Sequence, residues 1–388
     1  MTLSLSLFLS PALLLGCGDK DDTGSDLWPA NTGDAVATYA EIVEASYADS
    51  MTSAESLDAA LEALVASPSQ STLDAARQAW LDSREPYLQT EVYRFYDGPI
   101  DDPDDGPEGL LNAWPLDENY IDYTVDDAKA GIVNDASVTI DAATLEGLNE
   151  VGGEANIATG YHAIEFLLWG QDLSDDGPGE RPYTDYVTDG SGSAANQDRR
   201  GTYLTVAGDL LLVNLGSVHD QWGASADYRT SFEADAEAGF EKILTGMIVL
   251  SGFETGGERL QASLDSGDQE DEHSCFSDNT HRDMVQDVQG ISNVWNGSYT
   301  RTDGSTVSGT SVKSIVEAVN ADLAGQLDAQ ISESLSLANA IQAPYDQEIA
   351  PGSEGNARVE ALITSLRATE DLLFEVFDAF GLSVEIPE

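Results

Sequence analysis

The sequence predicts an all-α fold, on three observations. Apolar residues recur at intervals of three and four over long stretches, as one face of a helix requires. Few segments alternate apolar and polar residues with the period of two that half-buried strands need. Proline, glycine and aspartate concentrate in long loop-like stretches, 97–109 and 173–200. At 388 residues the chain is long enough for two domains or one large one, each with a real core.

The N-terminal stretch MTLSLSLFLSPALLLGCGDK carries an apolar run that ends at Leu15. It is shorter than the ~20 residues that span a bilayer and has the length of a signal-peptide hydrophobic region. Leu14-Leu15-Gly16-Cys17 resembles the bacterial lipobox, whose cysteine becomes the lipidated first residue. Residues 1–17 are therefore expected to be a lipoprotein signal peptide ending at a lipidated Cys17. The mature protein would then be anchored in the cell envelope, facing periplasm or exterior, and Gly18 after the cysteine favours the outer membrane. One departure from the usual signal is that no lysine or arginine precedes the apolar run. Residues 18–33 are polar and turn-rich, as a tether is.

From Asp34 the texture is helical. Thr52 and Glu55 have capping-box spacing ahead of Leu57, Leu61, Leu64 and Val65. Ser71 or Thr72 opens another helix, with Leu73, Ala76, Trp80, Leu81, Tyr87 and Leu88 on its apolar side. Residues 97–109 must be a loop by their Pro, Gly and Asp content. Residues 204–220, 229–250, 311–341 and 354–380 read as further amphipathic helices. The long polar interruption at 173–200 suggests a first domain over 34–190 and a second over 191–388, the latter with an insertion at 265–312.

The charge is extreme. Sixteen basic residues, only four of them lysines, face 71 acidic ones, for a net −55. Such a surface repels nucleic acid and anionic headgroups, since binding phosphate needs clustered Lys and Arg. It suits solvation in salty water, where screening removes the self-repulsion. The expected contact with membrane is through the Cys17 lipid alone. With Cys17 lipidated, Cys275 is a lone thiol and no internal disulfide can form.

Three stretches carry chemistry. In ATGYHAIEFLLWGQD (158–172), His162 and Glu165 lie three apart on an otherwise apolar segment, so a helix points both at one object. Neutral imidazole with carboxylate suits zinc or iron; the bland alternative is a buried polar pair. In QEDEHSCFSDNTHRD (269–283), Glu270, Asp271, Glu272, His273, Asp278, His281 and Asp283 crowd together, with two of the chain's four histidines. That cluster can ligate a metal or hold the His162 ring; the alternative is an exposed loop capping a helix near Thr280. The third stretch, 84–123, is dense in Arg, Tyr, Trp and acid. Its Asp run fails as an EF-hand, because Pro103 and Asn112 occupy ligand positions when Asp101 is taken first. No phosphate-binding glycine loop, CxxC, HExxH or GxSxG occurs. A thiol nucleophile at Cys275 beside His273 is only weakly suggested.

Taken together, these stretches resemble the imelysin family, specifically its iron-regulated lipoprotein branch. The family signature GxHxxE is present as Gly160, His162 and Glu165. The likeness extends through REPYLQTEVYRFYDGPID, LLNAWPLDENYIDY, GPGERPYTDY and EDEHSCFSDNTHRD, from about residue 35 to 380. It implies two helical bundle-like domains with the signature motif lining a cleft between them. It implies a metal site of His162, Glu165, His273 and His281, with Arg84, Asp117, Glu118, Glu258, Arg259 and Asp278 as further binding residues. The expected cofactor is iron or zinc, free or as a chelate, and the expected partners are iron-uptake components, with the protein itself a monomer. The family also carries a peptidase classification. The alternatives to metal binding are therefore a metallopeptidase, which would need a metal-bound water and a separate general base, and a non-catalytic scaffold.

Overall fold

The computed structural model describes residues 27–384, so the lipobox, Cys17 and residues 18–26 of the tether lie outside the described residues. The fold is all-α apart from one short hairpin, Ser298–Thr300 (β1) paired antiparallel with Thr306–Ser308 (β2). Helix α1 runs unbroken over Thr32–Ala66, because Val36, Tyr39, Val43, Tyr47, Ala54, Leu57, Leu61 and Leu64 keep returning to one buried face. The expected capping box at Thr52 starts nothing. The Thr52 hydroxyl donates to the Ala48 carbonyl one turn back, which lets a threonine sit inside a helix. The break comes at Ser67, and Ser69, not Ser71 or Thr72, caps α2 (Gln70–Leu88). The Thr72 amide donates to the Ser69 hydroxyl while the Ser69 amide donates to the Thr72 hydroxyl.

Later helices are α3 (Gly160–Trp169), α4 (Gln197–Trp222), α5 (Asp227–Ala234) and α6 (Ala236–Ile248). The single helix expected over 229–250 breaks at Asp235, whose carboxylate accepts from the amides of Glu237 and Ala238. Beyond Ile248 the helix opens into wider π-type turns over Val249–Gln261, a form found mostly at functional sites. The segment expected as an insertion contains α7 (Thr280–Asn296) and the hairpin. The helix expected over 311–341 is two, α8 (Val312–Val319) and α9 (Ala321–Ala338), because Asn320 caps the second. Helix α10 (Glu354–Phe380) ends at Gly381.

Helix α1 packs on α2 and α4, and α10 packs on the π-type stretch and on α9. The larger apolar core draws on both sides of residue 190, from Val36 and Trp80 to Leu211 and Phe377. A smaller one gathers around Met284, Tyr345, Val359, Leu362 and Leu366. Helix α4 is long and apolar enough to cross a membrane, but its apolar window is 56% buried within the fold. The long loop before α4 is pinned by charge: Arg181 and Arg200 reach the buried Asp122 at 2.7 and 2.6 Å.

Candidate functional site

All ten residues of α3 are buried, which is why its sequence is apolar on every side. Gly160 opens it at φ +84°, and a Cβ there would lie 2.5 Å from the Leu111 carbonyl oxygen. Glycine thus lets the signature helix press against the backbone of residues 110–111. One turn in, His162 Nδ1 lies 2.9 Å from Glu165 Oε2. The other carboxylate oxygen of Glu165 accepts from the amide and hydroxyl of Ser277, at 3.0 and 2.6 Å. Segment 272–279 is thereby fastened onto α3.

The same segment brings in His273. Its ring centroid lies 5.1 Å from that of His162, with the planes at 74°. His273 Nδ1 is 2.7 Å from Asp283 Oδ2, and Asp283 also accepts from Ser274, Asn279 and Arg84, the last at 3.2 Å. Arg84 is fully buried against the rings of Trp80, Tyr87 and Tyr161 and donates to Asn112. A chain of contacts therefore runs from α2 through Arg84 and Asp283 to His273, and on to His162 and Glu165.

Burial, with Arg84 next in weight, holds the His162 imidazole well below its ordinary value. Burial and Arg259 push His273 down to about 4. Both rings are neutral near pH 7, the form that ligates metals. Burial would raise Asp283, but Arg84 and the His273 bond outweigh it and keep the carboxyl ionised. Glu165 goes the other way: burial lifts it to about 8 against the Ser277 bonds. His162 Nε2 is buried and has no partner.

A cavity of about 430 Å³ adjoins the pair. Its wall holds five glutamates (Glu108, Glu150, Glu154, Glu254, Glu258) against two arginines (Arg94, Arg259), together with His273 and Trp114. The Trp114 ring centroid is 5.0 Å from that of His162, so His162 lies behind Trp114 and His273, one side chain removed from the cavity. Arg259 is tied to Glu91, Asp287 and Glu254 at 2.5, 2.8 and 3.0 Å, and Arg94 to Glu91 and Glu108 at 2.8 and 3.2 Å. The donor set fits a transition metal. Two neutral imidazoles, each with Nδ1 held by a carboxyl group, leave Nε2 as the ligating atom, and further carboxyl groups are at hand. Both Glu165 oxygens are already engaged, so Glu165 orients His162 instead of presenting a free ligand atom.

Other expected residues lie elsewhere. His281 Nδ1 meets the Asp278 carbonyl at 3.1 Å, and among the described residues no hydrogen bond or ring contact joins it to the histidine pair. Glu258 is exposed on the cavity wall. Asp117 caps the turn Glu118–Ile121, and Glu118 accepts from Gln171; no hydrogen bond links either to the pair. Asp278 belongs to a separate group of acids with Asp172 and Asp346. Asp283, expected only as one member of its cluster, and Ser277, given no role by its sequence, complete the pair. Asp283 stood in the singled-out segment, whereas a serine carries no charge signal.

Residues 43–373 match the family described as imelysin. The chain is 25% identical over 336 residues to iron-regulated protein A of Synechococcus elongatus, covering 86% of this chain and 82% of that one. The crystal structure of an iron-regulated protein A precursor from Parabacteroides distasonis superposes with a TM-score of 0.70 at 19% identity. That match covers 92% of this chain and 97% of that one, and bears on the fold. With its GxHxxE signature on a buried helix and the family match running over most of its length, the chain belongs to the imelysin family.

Proposed function

We propose that this protein binds a transition-metal ion, iron foremost, at the His162–His273 pair and the acidic cavity beside it. The observation that carries the reading is the pair itself. Two neutral imidazoles have ring centroids 5.1 Å apart, each oriented by a buried carboxyl group, and His162 Nε2 is unpartnered. A buried imidazole nitrogen with no partner is costly unless something is meant to meet it. His162 and His273 are the ligands, Glu165 and Asp283 orient them, and Arg84 keeps Asp283 in place. The cavity glutamates attract the cation and supply oxygen ligands. Iron is placed ahead of zinc because the similar protein from Synechococcus elongatus is described as iron-regulated. With Cys17 lipidated, the site would face the periplasm or the exterior and pass metal to envelope uptake components.

The test is anaerobic Fe(II) titration of the purified protein, with Zn(II) in parallel and calcium present throughout. His162→Ala and His273→Ala should each weaken binding at least tenfold with the helical signal unchanged, and Glu165→Gln should cost about 10–100-fold. His219→Ala, on α4 beside Asp220, should cost nothing. Equal affinity in all of these variants would overturn the assignment.

A further inference from the structure

We propose that Asp172, Asp278 and Asp346, with Glu272, form a second cation site, built for a hard divalent ion of the calcium type. Carboxylate oxygens of the three aspartates lie within 4.8 Å of one another, and the three side chains belong to residues only 2%, 7% and 6% exposed. Burial, with Asp346 next in weight, holds the carboxyl of the fully buried Glu272 well above its ordinary range. Among the described residues, no N–H or O–H group donates to Asp172 Oδ2, Asp278 Oδ1, either Asp346 oxygen or either Glu272 oxygen.

Most other buried acids meet a base; the exceptions, Glu165 and Glu118, are single acids that accept from Ser277 and Gln171. Asp122 meets Arg181 and Arg200, Asp283 meets Arg84, Asp287 meets Arg259, and Glu348 meets Arg358. Four buried carboxylates with no base among them are costly unless protonated or bound to a cation. Without a cation, burial and the neighbouring acids push Asp278 up to about 8, and burial lifts Asp172 to about 6.

The chemistry selects the ion. The donors are all oxygen, which favours hard cations over soft ones. Calcium holds 6–8 oxygens at about 2.3–2.6 Å in flexible geometry, which carboxylates drawn from three separate places in the chain can meet. Magnesium demands near-ideal octahedral geometry and dehydrates reluctantly, a poorer match to a cluster whose donors are all carboxyl groups of the chain. A depression of about 370 Å³ lined by Asp172, Asp175, Asp268 and Glu270 gives an acidic approach from solvent.

The site joins three places in the chain: the loop after α3, segment 272–279 and the short helix Tyr345–Ile349. Asp278 follows Ser277, which holds Glu165, and Glu272 precedes His273. A bound ion clamps from both ends the segment that carries His273. This assignment stands on its own residues and does not depend on the histidine pair binding metal.

The test uses the whole mature chain, stripped with chelator. Calcium, added at about a hundredfold its Kd, should raise the melting temperature by a few degrees, with one ion bound per chain by calorimetry and elemental analysis. Magnesium at the same concentration should do less. Asp278→Asn/Asp346→Asn should lose the calcium response and melt higher than the parent protein in chelator, since two repelling carboxyls are gone. Asp172→Asn, a milder change, provides the same readout should the double variant fold poorly. No calcium binding by the parent, or an equal calcium response in the parent and in whichever variant folds, would overturn the site.

Discussion

One short segment, residues 272–279, feeds two buried polar clusters of opposite construction. His273 and Ser277 enter the histidine cluster, where the ionised acid, Asp283, has Arg84 and the neighbouring arginines are matched by Glu91, Asp287 and Glu254. Glu272 and Asp278 enter the acid cluster, where the chain supplies no counter-charge. The first is held rigid by its own residues before any ligand arrives, as a site that binds and releases metal needs. The second is incomplete without something from solvent. On the two proposals above, buried charge is neutralised by the chain at the histidine pair and left to an ion at the acid cluster.

The comparison breaks most visibly at Arg84. In Arg84→Ala, Asp283 stays buried without its cation, and denaturant unfolding should register a loss of about 3–5 kcal/mol. Neutralising acids in the other cluster should do the reverse in chelator, raising stability; a fall there of the Arg84→Ala size would erase the distinction.

A smaller effect comes from acid. Burial would raise Glu91, but Arg94 and Arg259 outweigh it and hold it at about 2, against an ordinary 4.5. Its contribution is therefore present above pH 4.5 and lost as the pH falls toward 2. Glu91→Gln should be less stable than the parent at neutral pH, and its stability should fall less steeply over that window. Parallel pH profiles for the two proteins would remove Glu91 from the account.

The smallest effect concerns Cys275, which is buried and free between the residues that feed the two clusters. Burial pushes its thiol up, so it should resist thiol reagents in the native protein, and reductant should not shift the melting temperature. Stripping calcium should speed its labelling severalfold, because the clamp on 272–279 is released. An unchanged rate would separate the acid cluster from the mobility of that segment.

The helical class was legible because packing demands a repeating apolar face, and α1 and α10 keep theirs over many turns. Helix ends were less legible. Thr52 has the composition of a cap but not its position, and Asn320 divides what periodicity runs together. His162 and His273 could be paired in advance because histidine is scarce here, His162 standing with Glu165 on an apolar segment and His273 within a run of acids. His281 was singled out for the same reason, and its Nδ1 meets the Asp278 carbonyl, an orientation that type and spacing do not reveal. Asp172 and Asp346 were invisible: each is one of 71 acidic residues, and only folding brings them together with Asp278.

The central claim is that the buried histidine pair is a metal site distinct from the acid cluster. It is tested most directly by X-ray absorption at the zinc or iron edge on calcium-saturated protein carrying one equivalent of that metal. The account predicts scattering from two imidazoles in the parent protein and from one in His273→Ala, with Asp278→Asn/Asp346→Asn unchanged from the parent. An all-oxygen shell in the parent, or one that the His273 substitution leaves intact while the aspartate substitutions abolish it, would contradict the account.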